Sequence, residues 1–231
     1  MKTIGLIGGM SWESTAEYYR VINERVKEEL GGLHSAKCIL YSVNFEEIER
    51  YQHQGDWVKA GEVLGDVALS LEKAGADFIA LCTNTMHKVI GEIESRVSIP
   101  ILHIADTTAK QIQRSNLKTV GLLGTKYTME QDFLKSRIQK QGIDVIIPNQ
   151  VDMERINQVI FSELCLGKIE SSSKDYYLEV VEELASRGAQ GIILGCTEIG
   201  LLIKPQDTEV PLFDTAMIHA IEIVEKALVK E

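Results

Sequence analysis

Two cysteines stand in matching settings. Cys82 is followed by Thr83, Asn84 and Thr85, and Cys196 by Thr197 and Glu198. A free thiol ionises at about pH 8.5, close enough to neutral to serve as thiol or thiolate, and a helix N-terminus lowers that value. A pair of such groups suits one reaction class. Inverting a carbon stereocentre removes a proton from one face and returns one to the other. One group is then the base, its partner the acid, and the roles exchange in the reverse direction. Thr83, Asn84, Thr85 and Thr197 add short polar side chains where backbone N–H groups and helix dipoles would hold a substrate carboxylate. Glu198 takes the place after Thr197 that Asn84 takes after Thr83. An acidic group there can bind an ammonium group or orient the neighbouring thiol.

The two settings belong to an internal repeat. Gly5-Leu-Ile-Gly8 returns as Gly121-Leu-Leu-Gly124. Ala74-Gly-Ala-Asp-Phe-Ile-Ala-Leu-Cys82-Thr83 returns as Arg187-Gly-Ala-Gln-Gly-Ile-Ile-Leu-Gly-Cys196-Thr197. The run from Pro100 to Asp106-Thr107 returns as Pro211-Leu-Phe-Asp214-Thr215. First glycine and cysteine lie 77 residues apart in one half and 75 in the other. Three matches in one order imply two similar lobes related by a pseudo-twofold axis, with the active site between them.

The elements that must position the cysteines follow from periodicity. Apolar runs at 4–7, 38–43, 78–81, 101–104, 120–123, 145–147, 192–194 and 211–213 read as strands. Their continuous apolar character is that of strands covered on both faces. Residues 12–30 carry Tyr18, Ile22, Val26 and Leu30 on one helical face, with Ser11 as N-cap and Gly31-Gly32 as stop. Residues 61–74 and 176–187 form further helices, each followed by a glycine. This alternation predicts an α/β fold with mainly parallel sheets. In such sheets ligands bind at the carboxyl ends of strands, where both cysteines fall.

Other residue types narrow the chemistry. The net charge of -10 argues against nucleic-acid or anionic-membrane partners, which call for a basic surface. No run approaches the ~18–20 apolar residues of a membrane helix, and Met1–Met10 reads as a strand rather than a signal peptide, so a cytoplasmic protein is expected. The five histidines show no metal-ligand spacing, and no metal is expected. The thiols are expected to be free, with Cys38 and Cys165 as core residues. Gly8-Gly9-Met10-Ser11 and Gly124-Thr125-Lys126 match neither GxGxxG nor a P-loop and read as glycine turns or ligand loops. His87 is placed near the first cysteine loop, and Asp106 and Asp214 are read as helix caps. The polar run 44–57 is a loop or helix that could act as a lid.

Gly5-Leu-Ile-Gly-Gly-Met-Ser-Trp-Glu-Ser14, Leu81-Cys-Thr-Asn-Thr-Met-His87, Gly124-Thr-Lys-Tyr-Thr-Met129 and Leu194-Gly-Cys-Thr-Glu-Ile199 resemble the aspartate/glutamate racemases over essentially the whole chain. The longer strings resemble the broad-specificity bacterial members. The resemblance implies two four-stranded parallel-sheet domains, with the last helix returning to the first: residues 1–98 plus 209–231, and 99–208. It implies no pyridoxal phosphate or other cofactor, and a homodimer. By motif position Cys82 and Cys196 are the acid/base pair, and Met10, Gln52, Thr83, Asn84, Thr85, Thr125, Tyr127, Thr128 and Thr197 line an acidic amino-acid substrate.

One departure bears on specificity. Strict aspartate racemases of that family carry an Arg after strand two and a Lys later, where this chain has Gln52 and Cys165, with Arg50 and Lys168 nearby. A neutral Gln binds carboxylate less well than a bidentate Arg, so the pattern fits glutamate or a broader set at least as well as aspartate. Hydantoin racemases, maleate isomerases and arylmalonate decarboxylases are alternatives on the same scaffold. A non-catalytic small-ligand module and a cysteine hydrolase are alternatives of other classes. The first has no need of two thiols; the second needs a histidine base beside one.

Overall fold

The structure is a computed structural model that describes residues 1–229. The first apolar runs become β1 (Ile4–Gly8), β2 (Cys38–Ser42), β3 (Phe78–Leu81) and β4 (Ile101–Leu102). They pair in parallel in the order β2-β1-β3-β4. The later runs become β5 (Thr119–Leu123), β6 (Asp144–Ile146), β7 (Ile192–Leu194) and β8 (Leu212–Asp214), paired in parallel in the order β6-β5-β7-β8. The two sheets therefore share one topology, as the repeats predict. Every residue of the inner strands β1, β3 and β7 is buried. β2 departs from the expectation of two covered faces. It is an edge strand, and Leu40 and Tyr41 are exposed.

Helices flank each sheet. Between the first four strands lie α1 (Trp12–Leu30), α2 (Phe45–Gln54), α3 (Trp57–Lys73) and α4 (Ile90–Glu94), with a 3₁₀ turn over Thr85–Val89. Ser11 caps α1 as expected, its hydroxyl accepting the Ser14 N–H at 3.3 Å. α3 starts at Trp57, ahead of the predicted residue 61, because Asp56 caps it by accepting the Lys59 N–H at 3.0 Å. The polar run 44–57 contains α2, which buries Ile48 and Gln52. Ile7, Leu64, Ala68, Leu71, Ile79, Leu81, Met86 and Ile93 form this unit's core.

The second sheet is served by α5 (Ile104–Arg114), α6 (Lys126–Glu130), α7 (Asp132–Gln139), α8 (Gln150–Ser162), α9 (Ser171–Ser186) and α10 (Ile199–Leu202), while α11 (Thr215–Leu228) leaves β8 and joins the first unit from His219 onward, as expected of the last helix. The second unit's core gathers Leu123, Ile156, Ile160, Tyr177, Val181, Leu184, Ile192, Leu194 and Ile199. Gly75 (φ +96°) and Gly188 (φ +102°) turn the chain from α3 into β3 and from α9 into β7. Both take the left-handed conformation that suits glycine, which explains this part of the repeat.

The chain divides into residues 1–104 with the chain from His219 onward, and Ala105–Ile218. The expected boundaries need correcting. A break at 98/99 would remove β4 from the sheet in which it pairs with β3, and one at 208/209 would remove β8 from β7. Strand pairing carries the first boundary past β4. It carries the second past β8 into α11. The predicted strand 101–104 is also shortened, since Ile104 opens α5. No helix among the described residues is long and apolar enough to cross a membrane.

Candidate active site

In the first unit the expected site residues collect at the carboxyl ends of strands. Cys82 follows the last residue of β3 and is fully buried, and its N–H donates to the Ile7 carbonyl of β1 at 2.9 Å. Thr83, Asn84 and Thr85 continue from it, all buried. Met10 lies in the loop after β1, buried in the same core as Met86. Gln52 reaches in from α2, its amide donating to the Met86 sulfur at 3.0 Å. Arg50 lies exposed on the same helix, so the charged neighbour points away from the buried face that Gln52 occupies.

The loop after β1 needs its glycines. Gly9 has φ +91°, and a Cβ there would overlap the Val43 carbonyl oxygen. A Cβ on Gly8 would overlap the Thr15 side chain. Thr15 ties this turn to α1: its hydroxyl accepts the Gly9 N–H at 2.8 Å and donates to the Ser11 carbonyl at 2.7 Å.

In the second unit Cys196 lies just beyond β7, buried, with Thr197 and Glu198 buried after it. Thr125 caps α6, accepting the Thr128 N–H at 3.3 Å, and the two threonine hydroxyls are 3.1 Å apart. Tyr127 is half-buried on the same turn. A Cβ on Gly195 would come within 2.8 Å of the Leu123 carbonyl and 3.2 Å of Thr128 Cγ2, so the bare backbone lets the β5 and β7 loops meet. The structure thus assembles Met10, Gln52, Cys82, Thr83, Asn84 and Thr85 in one unit, and Thr125, Tyr127, Thr128, Cys196, Thr197 and Glu198 in the other.

The electrostatics of the two thiols differ. Burial pushes Cys82 up from the usual thiol range, with no other cause of note. Burial pushes Cys196 well up too. The Glu198 carboxylate raises it further, as does the neighbouring Cys165, against a smaller opposing effect of the Glu198 backbone N–H. The Cys196 thiol donates to Glu198 Oε2 at 2.9 Å, and the Thr197 hydroxyl donates to the same oxygen at 2.9 Å.

Three buried histidines surround the base of the Cys82 loop. His87 donates from Nδ1 to the Thr83 carbonyl at 2.8 Å and accepts the Ile104 N–H at Nε2 at 3.3 Å. These partners fix it as a neutral ring with its proton on Nδ1. His103 packs against it at 4.4 Å between ring centroids. His219 donates from Nε2 to the Leu102 carbonyl and accepts from the Tyr18 hydroxyl at Nδ1, each at 3.0 Å. Sequence reasoning placed His87 near the loop but missed His103 and His219. Their positions, 16 and 132 residues beyond His87, carry no local signal of this packing. It also missed that Cys165, in the 3₁₀ turn Leu164–Leu166, is close enough to influence Cys196.

Asp214 caps α11 as expected, accepting the Ala216 and Met217 N–H groups at 3.0 and 3.1 Å. Asp106 does something else. It lies inside the first turn of α5 and binds Arg137 at 2.6 and 2.7 Å. Among the described residues no group of three His, Cys, Asp or Glu side chains could hold a metal ion.

The sequence matches the family model of Asp/Glu/hydantoin racemases over residues 7–223. A broad-specificity amino-acid racemase of Bacillus subtilis, RacX, is 26% identical over 216 residues, 92% of each chain. A crystal structure from Yersinia pestis, provisionally described as an Asp/Glu racemase, superposes with TM-score 0.92 at 55% identity, covering 99% of this chain and 100% of its own. PH1733 of Pyrococcus horikoshii, an aspartate racemase homologue, superposes with TM-score 0.86 at 37% identity, over 98% and 99% of the two chains. The chain belongs to the Asp/Glu/hydantoin racemase family. It is accordingly an isomerase of the racemase class.

Proposed function

We propose that the chain racemises an acidic amino acid, aspartate, glutamate or both, by a two-base mechanism that uses Cys82 and Cys196 and no cofactor. The observation that carries this reading is the recurrence of a buried Cys-Thr step at the carboxyl end of equivalent strands, β3 and β7, in two sheets of one topology. Repetition of a fold explains shared glycines and apolar residues. It does not explain a thiol kept twice at the mouth of a sheet.

One thiolate takes the α-proton and the other thiol delivers a proton to the opposite face. The α-carbon passes through a carbanion whose charge spreads onto the carboxylate. Thr83, Asn84, Thr85, Thr125, Tyr127, Thr128 and Thr197 are the hydrogen-bonding groups assigned to the substrate, with Met10 and Gln52 beside them. Before substrate binds, burial disfavours the thiolate at both cysteines. An incoming ammonium group favours a thiolate beside it, because opposite charge stabilises the ionised form. Gln52 and Cys165 are neutral where strict aspartate racemases carry cations, and Arg50 and Lys168 are exposed. This favours tolerance of both chain lengths over strict aspartate specificity. The work would take place in the cytoplasm, on a free amino acid, by a homodimer.

Proton NMR of L-glutamate and L-aspartate in deuterated water tests the reading. Wild type is expected to exchange the α-proton and lose optical rotation with at least one substrate. Absence of exchange with both would remove the acidic amino-acid assignment and turn attention to hydantoin racemisation, maleate isomerisation or ligand binding without catalysis.

A further inference from the structure

The two cysteine loops end differently, and the difference falls on a charge. Glu198 is 3% exposed, and its Oε2 accepts both the Cys196 thiol and the Thr197 hydroxyl at 2.9 Å. A thiol that donates to a carboxylate is held in its protonated form, since ionising it would leave two negative charges in contact. The corresponding residue after Cys82 and Thr83 is Asn84, which is uncharged and can donate an N–H. We propose that Glu198 is a positioning residue that holds Cys196 as the resting acid of the pair and leaves Cys82 as the first base. This rests on the two-thiol mechanism proposed for the chain.

Among the described residues, titratable groups that act on Cys196 or are acted on by it lie on three elements. Glu198 lies on its own loop, Cys165 on the 3₁₀ turn Leu164–Leu166, and Tyr177 on α9. The Tyr177 hydroxyl donates to the Ile156 carbonyl at 3.1 Å, and burial holds it protonated. None of these supplies a positive charge. Glu198 is the one whose side chain bonds the Cys196 sulfur in this structure.

Protons balance over one turnover. In the first direction Cys82 thiolate breaks the α C–H bond and becomes a thiol, and the Cys196 S–H bond breaks as a new C–H bond forms. Release leaves Cys196 as thiolate against Glu198, the disfavoured form; it regains a proton from water as the Cys82 thiol gives up the abstracted proton to water, which restores the starting form. The equilibrium constant between enantiomers is one, so kcat/KM is the same for both whatever Glu198 does. The bias therefore appears in kcat and KM taken separately. The enantiomer that Cys82 deprotonates meets the more populated of the two singly ionised forms of the enzyme. It should show the lower KM and the lower kcat.

Alkylation with iodoacetamide from pH 6 to 10, read for each cysteine peptide by mass spectrometry, tests the proposal on the whole protein without substrate. In wild type the midpoint for Cys196 is expected above that for Cys82. Glu198→Gln keeps the size of the side chain and is expected to lower the Cys196 midpoint by about one pH unit, which is about tenfold faster labelling at neutral pH. The Cys82 midpoint should stay in place. Where racemisation is measurable, the same variant should draw the two enantiomers' KM values together. An unmoved Cys196 midpoint in Glu198→Gln, or Cys196 ionising before Cys82 in wild type, overturns the proposal. Cys196 ionising before Cys82 in wild type overturns it even if the variant does not fold. A protein that labels as expected yet exchanges no α-proton would defeat the two-thiol reading and leave the thiol–carboxylate assignment standing.

Discussion

The Cys82 and Cys196 loops begin alike and are held by opposite means. After β3, the Thr83 carbonyl is gripped by His87, a neutral ring anchored in turn to the start of α5. After β7, the thiol and the following hydroxyl converge on one carboxylate oxygen of Glu198. The first loop is tied through its backbone and leaves its thiol to burial alone. The second is tied through the thiol itself. Two copies of one fold thus present the same thiol in different surroundings, because a strand end fixes where a side chain emerges while the residues after it decide what it bonds.

The most severe way to break this comparison is to remove one thiol at a time. Cys82→Ala and Cys196→Ala are each expected to lower racemisation by about 10²–10⁴-fold, the range for a lost general acid or base. The variants should not be equivalent. Each should retain slow α-deuterium exchange with one enantiomer only, and the two should retain opposite ones. Exchange followed by NMR for both enantiomers decides this. Identical enantiomer preferences in the two variants would mean that the thiols do not act from opposite faces.

Acid should separate the units next. All five histidines belong to the first unit. Burial and the neighbouring His87 lower His219 to about 3, against the Leu102 carbonyl, which raises it. An unfolded histidine ionises near 6.5. Between those values the unfolded chain binds a proton that the folded chain does not. Stability from this group is complete above about pH 6.5 and is lost as pH falls towards 3, by at most about 5 kcal/mol. Amide hydrogen exchange between pH 7 and 4 should show protection falling first in residues 1–104. His219→Gln should flatten that dependence, even if it lowers stability at neutral pH.

A smaller effect is expected at His87. His87→Ala leaves the buried Thr83 carbonyl and Ile104 N–H without this partner, at a cost of about 2–4 kcal/mol including the cavity. Denaturant unfolding would measure it. Because the imidazole holds the backbone and not the thiol, kcat should fall while the alkylation midpoint of Cys196 stays put. A shift of that midpoint would show that the loops are not independently held.

Much of this architecture is legible in the sequence for identifiable reasons. The inner strands are continuous apolar runs, and glycines with positive φ at Gly75 and Gly188 mark matching turns, so β1, β3, β5 and β7 and the repeat are readable. The unit boundaries are not. β4 spans only Ile101–Leu102, too short for a periodic signal, and membership of a sheet depends on its pairing with β3. The paired cysteines are readable because their neighbours repeat. The Glu198 contact is half readable: the acid's place is visible, but not which of its possible partners it takes. Asp106 shows the limit of local rules. Its position suggests a cap, and a distant residue, Arg137, takes the carboxylate instead.

The gentlest test lies in the caps that open the first helix of each glycine turn. Ser11 caps α1, a helix of 19 residues, and Thr125 caps α6, a helix of five. Loss of a capping hydroxyl costs about 0.5–2 kcal/mol. In the first unit Thr15 also binds the Gly9 N–H and the Ser11 carbonyl, so the turn keeps two hydrogen bonds when Ser11→Ala removes its hydroxyl. In the second, the Thr125 hydroxyl meets both the Thr128 N–H and the Thr128 hydroxyl, while Asn157 holds the Lys126 N–H at 2.8 Å. Thr125→Ala therefore removes more of its own turn's bonding. It is expected to cost about 1 kcal/mol more than Ser11→Ala in denaturant unfolding, and to raise KM if Thr125 binds substrate. Equal costs would mean that the bonds around Thr15 and Asn157 carry the two turns alike, and that the units differ in how they hold a thiol but not in how they hold a helix.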